Sequence, residues 1–296
     1  MLALLFSQQR KEIRNEVDKL PSKYTKLINK YKPIETEGFT LYPITVEHYE
    51  EFLLASQAIC FMQQALPIQL MSIPLLSAFF MMDLDRTFRK EAPTGLFTSA
   101  VLSLVLAMRL ADDEESAIEV CKELVAVTDK ENPTKLKALV FRRDIRAGRE
   151  PRTITPYQYE NIRRVIAAQN GLTIPDELDN PELVEAEHDL AEKGAPKLDT
   201  KVINMINAAA ALTGKEEEEI YGWPILKLSR RLESFKRIID YMVCAIGEGN
   251  GASWKNGNPT PHPFFDRIKG GSDALISMES FAGGEGLRAM QDAGAV

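Results

Sequence analysis

The chain has 296 residues, of which 45% are hydrophobic, 27% charged and 8% aromatic. That balance excludes a chain disordered throughout, a collagen-like repeat and a disulfide-stapled miniprotein. Thirty-six Lys and Arg stand against 43 Asp and Glu, a formal charge of −7, so the chain as a whole is not a polyanion-binding surface.

In chain order, residues 1–35 read as an N-terminal amphipathic arm. Ile13, Val17, Leu20 and Leu27 lie along one side of Arg10 to Tyr31, and Pro21 breaks the helix. The opening MLALLFSQQRK lacks the basic start and small-residue cleavage pattern of a signal peptide. Phe39 to Thr45 alternates and predicts a strand, bent or placed at an edge by Pro43. Thr45 is a candidate cap for a helix running to about Gln63, with Glu47 in its first turn. Pro74 to Met82 predicts an apolar helix. Thr94 to Leu110 predicts another, apolar almost all round and hence the centre of a core. Glu115 to Leu124 continues in helix. Leu124 to Val127 and Leu136 to Phe141 then flank DKENPT, an Asp/Asn/Pro turn, and predict a hairpin. These elements predict an α+β domain over 36–145.

Arg142 to Arg152 reads as a basic loop or linker, followed by extended Thr153 to Thr155. Pro156 at the first helical position, Thr155 as cap and Gly171 as terminator predict a helix to about Gln169. The acidic stretch 176–192 reads as a solvated helix, and Asp199 to Gly214 as another helix. The longest element begins after Trp223 and Pro224. Ile225, Leu228, Leu232, Phe235, Ile239, Met242 and Ile246 recur at alternating spacings of three and four, with Lys227, Arg230, Arg231, Lys236 and Arg237 opposite them. A helical domain over 146–248 follows. Residues 249–296, rich in Gly, Asn, Pro and Ser, read as an extended or flexible tail. The expected fold is mainly α, with a small α+β N-terminal part, a helical C-terminal domain and this tail.

No catalytic template emerges. Cys60, Cys121 and Cys244 are odd in number and form no CxxC, which speaks against disulfides or a zinc knuckle. His48, His188 and His262 have no helix-face metal spacing. There is no G-x-S-x-G and no GxxxxGK[ST], and GEGNG at 247–251 follows a helix instead of opening one. The run Glu216 to Glu219 reads as a solvated first helical turn. The expectation is no catalytic residue, no metal, no cofactor and no small-molecule substrate. Cys60 to Met82 is interrupted by Pro67, Pro74 and glutamines, and Gly95 to Leu110 is short, so neither predicts a membrane span.

The candidate sites are for protein partners: the stripe Leu228, Leu232, Phe235, Ile239 and Met242; the tail aromatics Trp254, Phe264 and Phe265; and the basic Arg142 and Arg143. Nucleic acid is not the expected partner, because the arginines lack interleaved aromatics and pair more readily with the acidic 176–192 segment. Met71, Met81 and Met82 beside Phe79 and Phe80 supply side chains that repack easily against a helix, although most of that stretch reads as core.

EEEIYGWPILKLSRRLESFKRIIDYMVCAIGEGNG, ITPYQYENIRRVIAAQNGL, NPELVEAEHDLAEK and LYPITVEHYEEFL together resemble tail assembly chaperones, and similarly placed tail-module proteins, of phages and prophages of Gram-positive bacteria, over most of Leu41 to Asp266. The resemblance implies a mostly helical, non-enzymatic factor in the host cytoplasm. Such a factor binds the tape-measure protein, keeps that long apolar helix soluble and recruits tail-tube or other tail proteins, with self-association open. It also implies a short form and a frameshift-extended form, for which 247–251 would be the junction. The alternative is a structural virion protein of tail, baseplate or capsid, its C-terminal arm serving as an inter-subunit strap.

Overall fold

The computed structural model describes residues 20–111, 116–174 and 201–251. The acidic 176–192 segment, Asp199, Trp254, Phe264 and Phe265 therefore lie outside the described residues, as do most of the expected arm and tail. The fold is mainly α with two small antiparallel sheets. The described chain divides into two compact units at Arg230/Arg231.

The first unit opens with helix α1 (Ser22–Asn29), which follows Pro21 and buries Ile28. A tight hairpin follows, β1 (Ile34–Thr36) with β2 (Phe39–Leu41), in the register Ile34–Leu41 and Thr36–Phe39. Its turn is Glu37-Gly38, both at positive φ (52° and 80°), the geometry that matches the twist of a two-residue hairpin. Thr45 leads into a 3-10 turn, Val46–His48, without a side-chain cap, and α2 (Tyr49–Ile59) then ends four residues earlier than expected. Helices α3 (Leu75–Phe88) and α4 (Leu96–Ala107) follow. Every residue of α4 from Ser99 to Ala107 is buried, and α4 packs against α2, α3 and the later α7. It is the centre of the core, as its uniform apolarity requires.

Short helix α5 (Ala117–Val120) and a 3-10 turn precede the expected hairpin, β3 (Leu124–Thr128) with β4 (Leu136–Phe141). Asp129 accepts the Glu131 amide at 2.9 Å and Asn132 that of Thr134 at 3.1 Å, so the Asp/Asn residues build the turn. Helix α6 (Arg142–Arg146) replaces the first part of the expected basic linker, and strand β5 (Thr153–Ile154), paired to β4, lies in the stretch predicted to be extended. Asp144 is the reason. It is buried and accepts the Arg152 Nε at 2.8 Å and the Arg152 amide at 3.2 Å, which folds this segment back on itself.

Helix α7 (Pro156–Asn170) starts at the predicted cap, Thr155, whose side chain forms a capping box with Gln158, and ends at Gly171 with φ 73°. It contacts α2, α3, α4, β1 and β4. The expected boundary at 145/146 therefore does not separate two cores: the hairpin and α7 seal the same apolar interior. Helices α8 (Val202–Thr213) and α9 (Glu217–Tyr221) close the unit. Helix α10 (Ile225–Gly249) begins one residue after Pro224, where the Val46 amide bonds the Trp223 carbonyl and the Ile225 amide bonds the Ile44 carbonyl, both at 2.9 Å. Residues 231–251 are the described part of the second unit. Among the described residues no helix is long and apolar enough to cross a membrane.

Candidate functional site

Two apolar surfaces stand out, one in each unit. The first is built on α3. A helix that lies on a core normally has one apolar stripe. Here Leu75, Leu76 and Phe79 fill that stripe and are buried. Met81, Leu84 and Phe88, at i, i+3 and i+7, lie on the opposite side of the cylinder, with Asp85 beside them. Together with Met82, Pro67, Gln69, Leu70, Arg89 and Thr134 they line an open groove of about 420 Å3. Phe88 is 74% exposed, and Ile68 on the adjoining loop is 82% exposed.

The groove's walls are held by polar bonds. Gln63 donates its amide to the Met71 and Ile73 carbonyls at 2.9 and 2.8 Å, which fixes the 66–73 loop. Asp83 accepts from the amide and hydroxyl of Thr94, which ties α3 to the start of α4. Phe61 meets Phe79 edge to face at 5.1 Å, and Phe80 meets Phe97 at 5.3 Å, so the helix beneath the groove is anchored from both sides. The Asp85–Arg89 pair at 2.9 Å gives the groove a charged rim. Met81, Met82, Leu70 and Leu84 make part of its lining thioether and aliphatic, a surface that adapts to different apolar side chains.

The second surface is the stripe on α10. Leu228 is fully buried in the first unit, so it is core and not a surface site. This follows from the Ile44–Val46 and Trp223–Ile225 backbone bonds, which seat the first turn of α10 in the interior. Leu232 and Phe235 are half-buried, whereas Ile239 and Met242 are exposed, as are Ile238, Val243 and Ile246.

The basic cluster is partly consumed within the chain. Arg146 pairs with Glu123 at 3.1 Å, and Arg149 and Arg152 pair with Asp144 at 3.8 and 2.8 Å. Arg142 and Arg143 are exposed on α6, with Arg143 donating to the Leu110 carbonyl at 3.0 Å. These partners are Glu123 and Asp144; the 176–192 segment expected to neutralise the arginines lies outside the described residues.

Ion pairing and burial displace several titratable groups. Arg152 bonded to Asp144 holds that carboxyl below the usual range. Burial pushes the Tyr159 phenol up to about 12 and the Cys121 thiol up to about 11. Both groups are therefore neutral at pH 7, and a Cys121 thiol with so little thiolate is a poor nucleophile. Among the described residues no three His, Cys, Asp or Glu side chains come together in a metal-holding group.

Sequence reasoning missed the polar hub on α7. Arg163 is 4% exposed and donates Nε to the Ile59 carbonyl at 2.7 Å and Nη2 to the Phe61 carbonyl at 2.6 Å. Its neighbour Glu160 accepts the Leu75 amide at 3.0 Å and pairs with Arg163 at 3.3 Å. One salt bridge thus joins the end of α2 to the start of α3 and sets the chain that frames the groove. No protein-family model, curated protein or solved structure matches the chain.

Proposed function

We propose that the protein is a non-enzymatic assembly factor that holds an apolar helix of a partner in the α3 groove, and that the partner is a phage tail protein, the tape-measure protein foremost. The groove carries this reading. Met81, Leu84 and Phe88 form an apolar face on the outer side of a helix whose inner side is already satisfied by the core. Such a face costs solubility unless something covers it.

The fit is to a helix. A volume of about 420 Å3 leaves room for two or three apolar anchors of the kind an amphipathic helix presents at i, i+3/i+4 and i+7, and the Asp85–Arg89 ion pair lies at its rim. Each fully buried Leu or Phe anchor contributes about 1.5–3 kcal/mol, so three anchors supply about 4.5–9 kcal/mol before the costs of association, which suits weak, reversible binding. Reversibility is what a chaperone needs, because it must release its client into the growing tail. The sequence resemblance to tail assembly chaperones supplies the identity of the client.

Co-expression tests it. The tape-measure protein produced with the full chain stays in the soluble fraction and elutes with it. With the Met81→Glu/Phe88→Glu variant it pellets. A tape-measure protein equally soluble with either chain would remove the groove from the mechanism.

A further inference from the structure

The second unit carries an apolar surface that the groove does not explain. From Ile225 the stripe of α10 repeats every seven residues: Ile225, Leu232, Ile239 and Ile246 in one seam position, and Leu228, Phe235 and Met242 in the other. A strict seven-residue repeat drifts around a straight helix, and it stays on one side only when the helix supercoils with another. The first two seam residues are spent in the first unit's core. From Arg231 to Gly249, about 28 Å of helix, the seam is open, with Ile238, Ile239, Met242, Val243 and Ile246 between 38% and 63% exposed.

Charge says what covers it. Residues 231–239 carry Arg231, Lys236 and Arg237 against Glu233 alone, whereas residues 240–249 carry Asp240 and Glu248 and no base. The segment is basic at its beginning and acidic at its end. A parallel pair would set Arg231 against Lys236 across the seam, since these positions flank it five residues apart. An antiparallel pair sets the basic half beside the acidic half and opposes the helix dipoles, both favourable. The matching partner is therefore this same segment running the other way.

We infer that residues 231–249 pair antiparallel with the same segment of a second copy of this chain. The seam then stacks in layers, Phe235 on Ile246 and Ile239 on Met242 of the other copy, each layer occurring twice by two-fold symmetry. Ile238 and Val243 broaden the contact, and Lys236, which pairs with Asp240 of its own helix at 2.5 Å, lies with its stem along Val243 of the other copy. The five exposed side chains present about 500 Å2 per copy, so the pair buries about 1,000 Å2, which meets the lower bound for a specific interface. The pairing uses no groove residue and stands apart from the groove reading.

Sedimentation of the full chain over a concentration series tests it. The unaltered chain sediments as a dimer, as do Ile239→Leu and the groove variant Phe88→Glu. Ile239→Asp and Met242→Asp raise the dimer dissociation constant at least about 100-fold while circular dichroism of the chain is unchanged. Direction is read from Lys236→Cys/Val243→Cys, in which oxidation links position 236 of one copy to 243 of the other, identified by peptide mass spectrometry. A monomer at every concentration would mean that residues 252–296 or another protein covers the stripe, and it overturns the inference. A dimer indifferent to Ile239→Asp, or one that yields no 236–243 link, overturns it as well.

Discussion

Replacing Arg163 with Met probes the hub that frames the groove. The change keeps most of the side-chain volume and removes the guanidinium. Left behind are the Ile59 and Phe61 carbonyls, previously bonded at 2.7 and 2.6 Å, and Glu160 without its 3.3 Å partner. Hydrogen bonds to a charged group contribute about 1.5–3 kcal/mol each, and breaking a buried pair by removing one member costs about 3–5 kcal/mol. The Ile59 carbonyl is also at the negative end of the α2 dipole, where a cation is favourable. The expected loss is about 4 kcal/mol. For a cooperative unit of this size that is a fall in Tm of roughly 10 °C, read by differential scanning calorimetry. Arg163→Lys retains one of the bonds and falls in between. An Arg163→Met chain that melts within about 2 °C of the unaltered protein would refute the reasoning and reduce Arg163 to a bystander.

Asp144→Asn removes the carboxylate that Arg152 bonds on the β4–β5 connection. Because its folded pKa is lowered, Asp144 stabilises the protein at neutral pH, and that contribution is lost as pH falls below about 4. Asp144→Asn costs about 1–3 kcal/mol at pH 7 and flattens the acid limb of a urea-midpoint profile; an unchanged acid limb counts against the pairing. Cys121, pushed up to about 11, carries about a hundredth of the thiolate of an ordinary cysteine at pH 8. Its alkylation by iodoacetamide, followed by peptide mass spectrometry, is slower in the same proportion, and a rate equal to that of a model thiol contradicts the burial. Gly171→Ala places a side chain at φ 73° and costs about 1 kcal/mol in the unfolding free energy, and a neutral result would show that the α7 terminus relaxes.

Local signals carry much of the fold. Thr155-Pro156 with Gln158 marks the start of α7 and Gly171 its end, because caps are satisfied within a few residues of chain. The hairpin between Leu124 and Phe141 is equally legible in its Asp/Asn/Pro turn. The first hairpin is half legible: the alternation predicts β2 but not β1, although Glu37-Gly38 is a two-residue turn signal. Non-local facts are not legible. Arg163 and Arg164 are adjacent, and nothing in the pair says that the first turns inward. The clue is positional, since Arg163 follows Tyr159 by four residues on the side that Ile162 and Ile166 also bury. Likewise the 145/146 boundary rests on Arg142 to Arg152 looking like a solvated link, whereas buried Asp144 folds it into the body. The α10 stripe reads correctly as a repeat, but the spacing does not show that Leu228 belongs to the core and Ile239 to the surface. For the groove, the methionines stand out in the sequence yet read mostly as interior. Only the placement of Leu75, Leu76 and Phe79 on the inner side of α3 reveals that half-buried Met81 and Leu84 and exposed Phe88 line the groove on its other side.

On the proposed function, the chain serves a tail protein transiently through the α3 groove. Quantitative mass spectrometry of tail assembly intermediates and of finished particles from the producing cell tests it most directly. The expected result is the chain bound to tape-measure protein in the intermediates, depleted at least about tenfold by Met81→Glu/Phe88→Glu, and absent from finished particles. A chain present at fixed stoichiometry in the finished particle, whatever residues line the groove, would contradict it and make the protein a component of the virion.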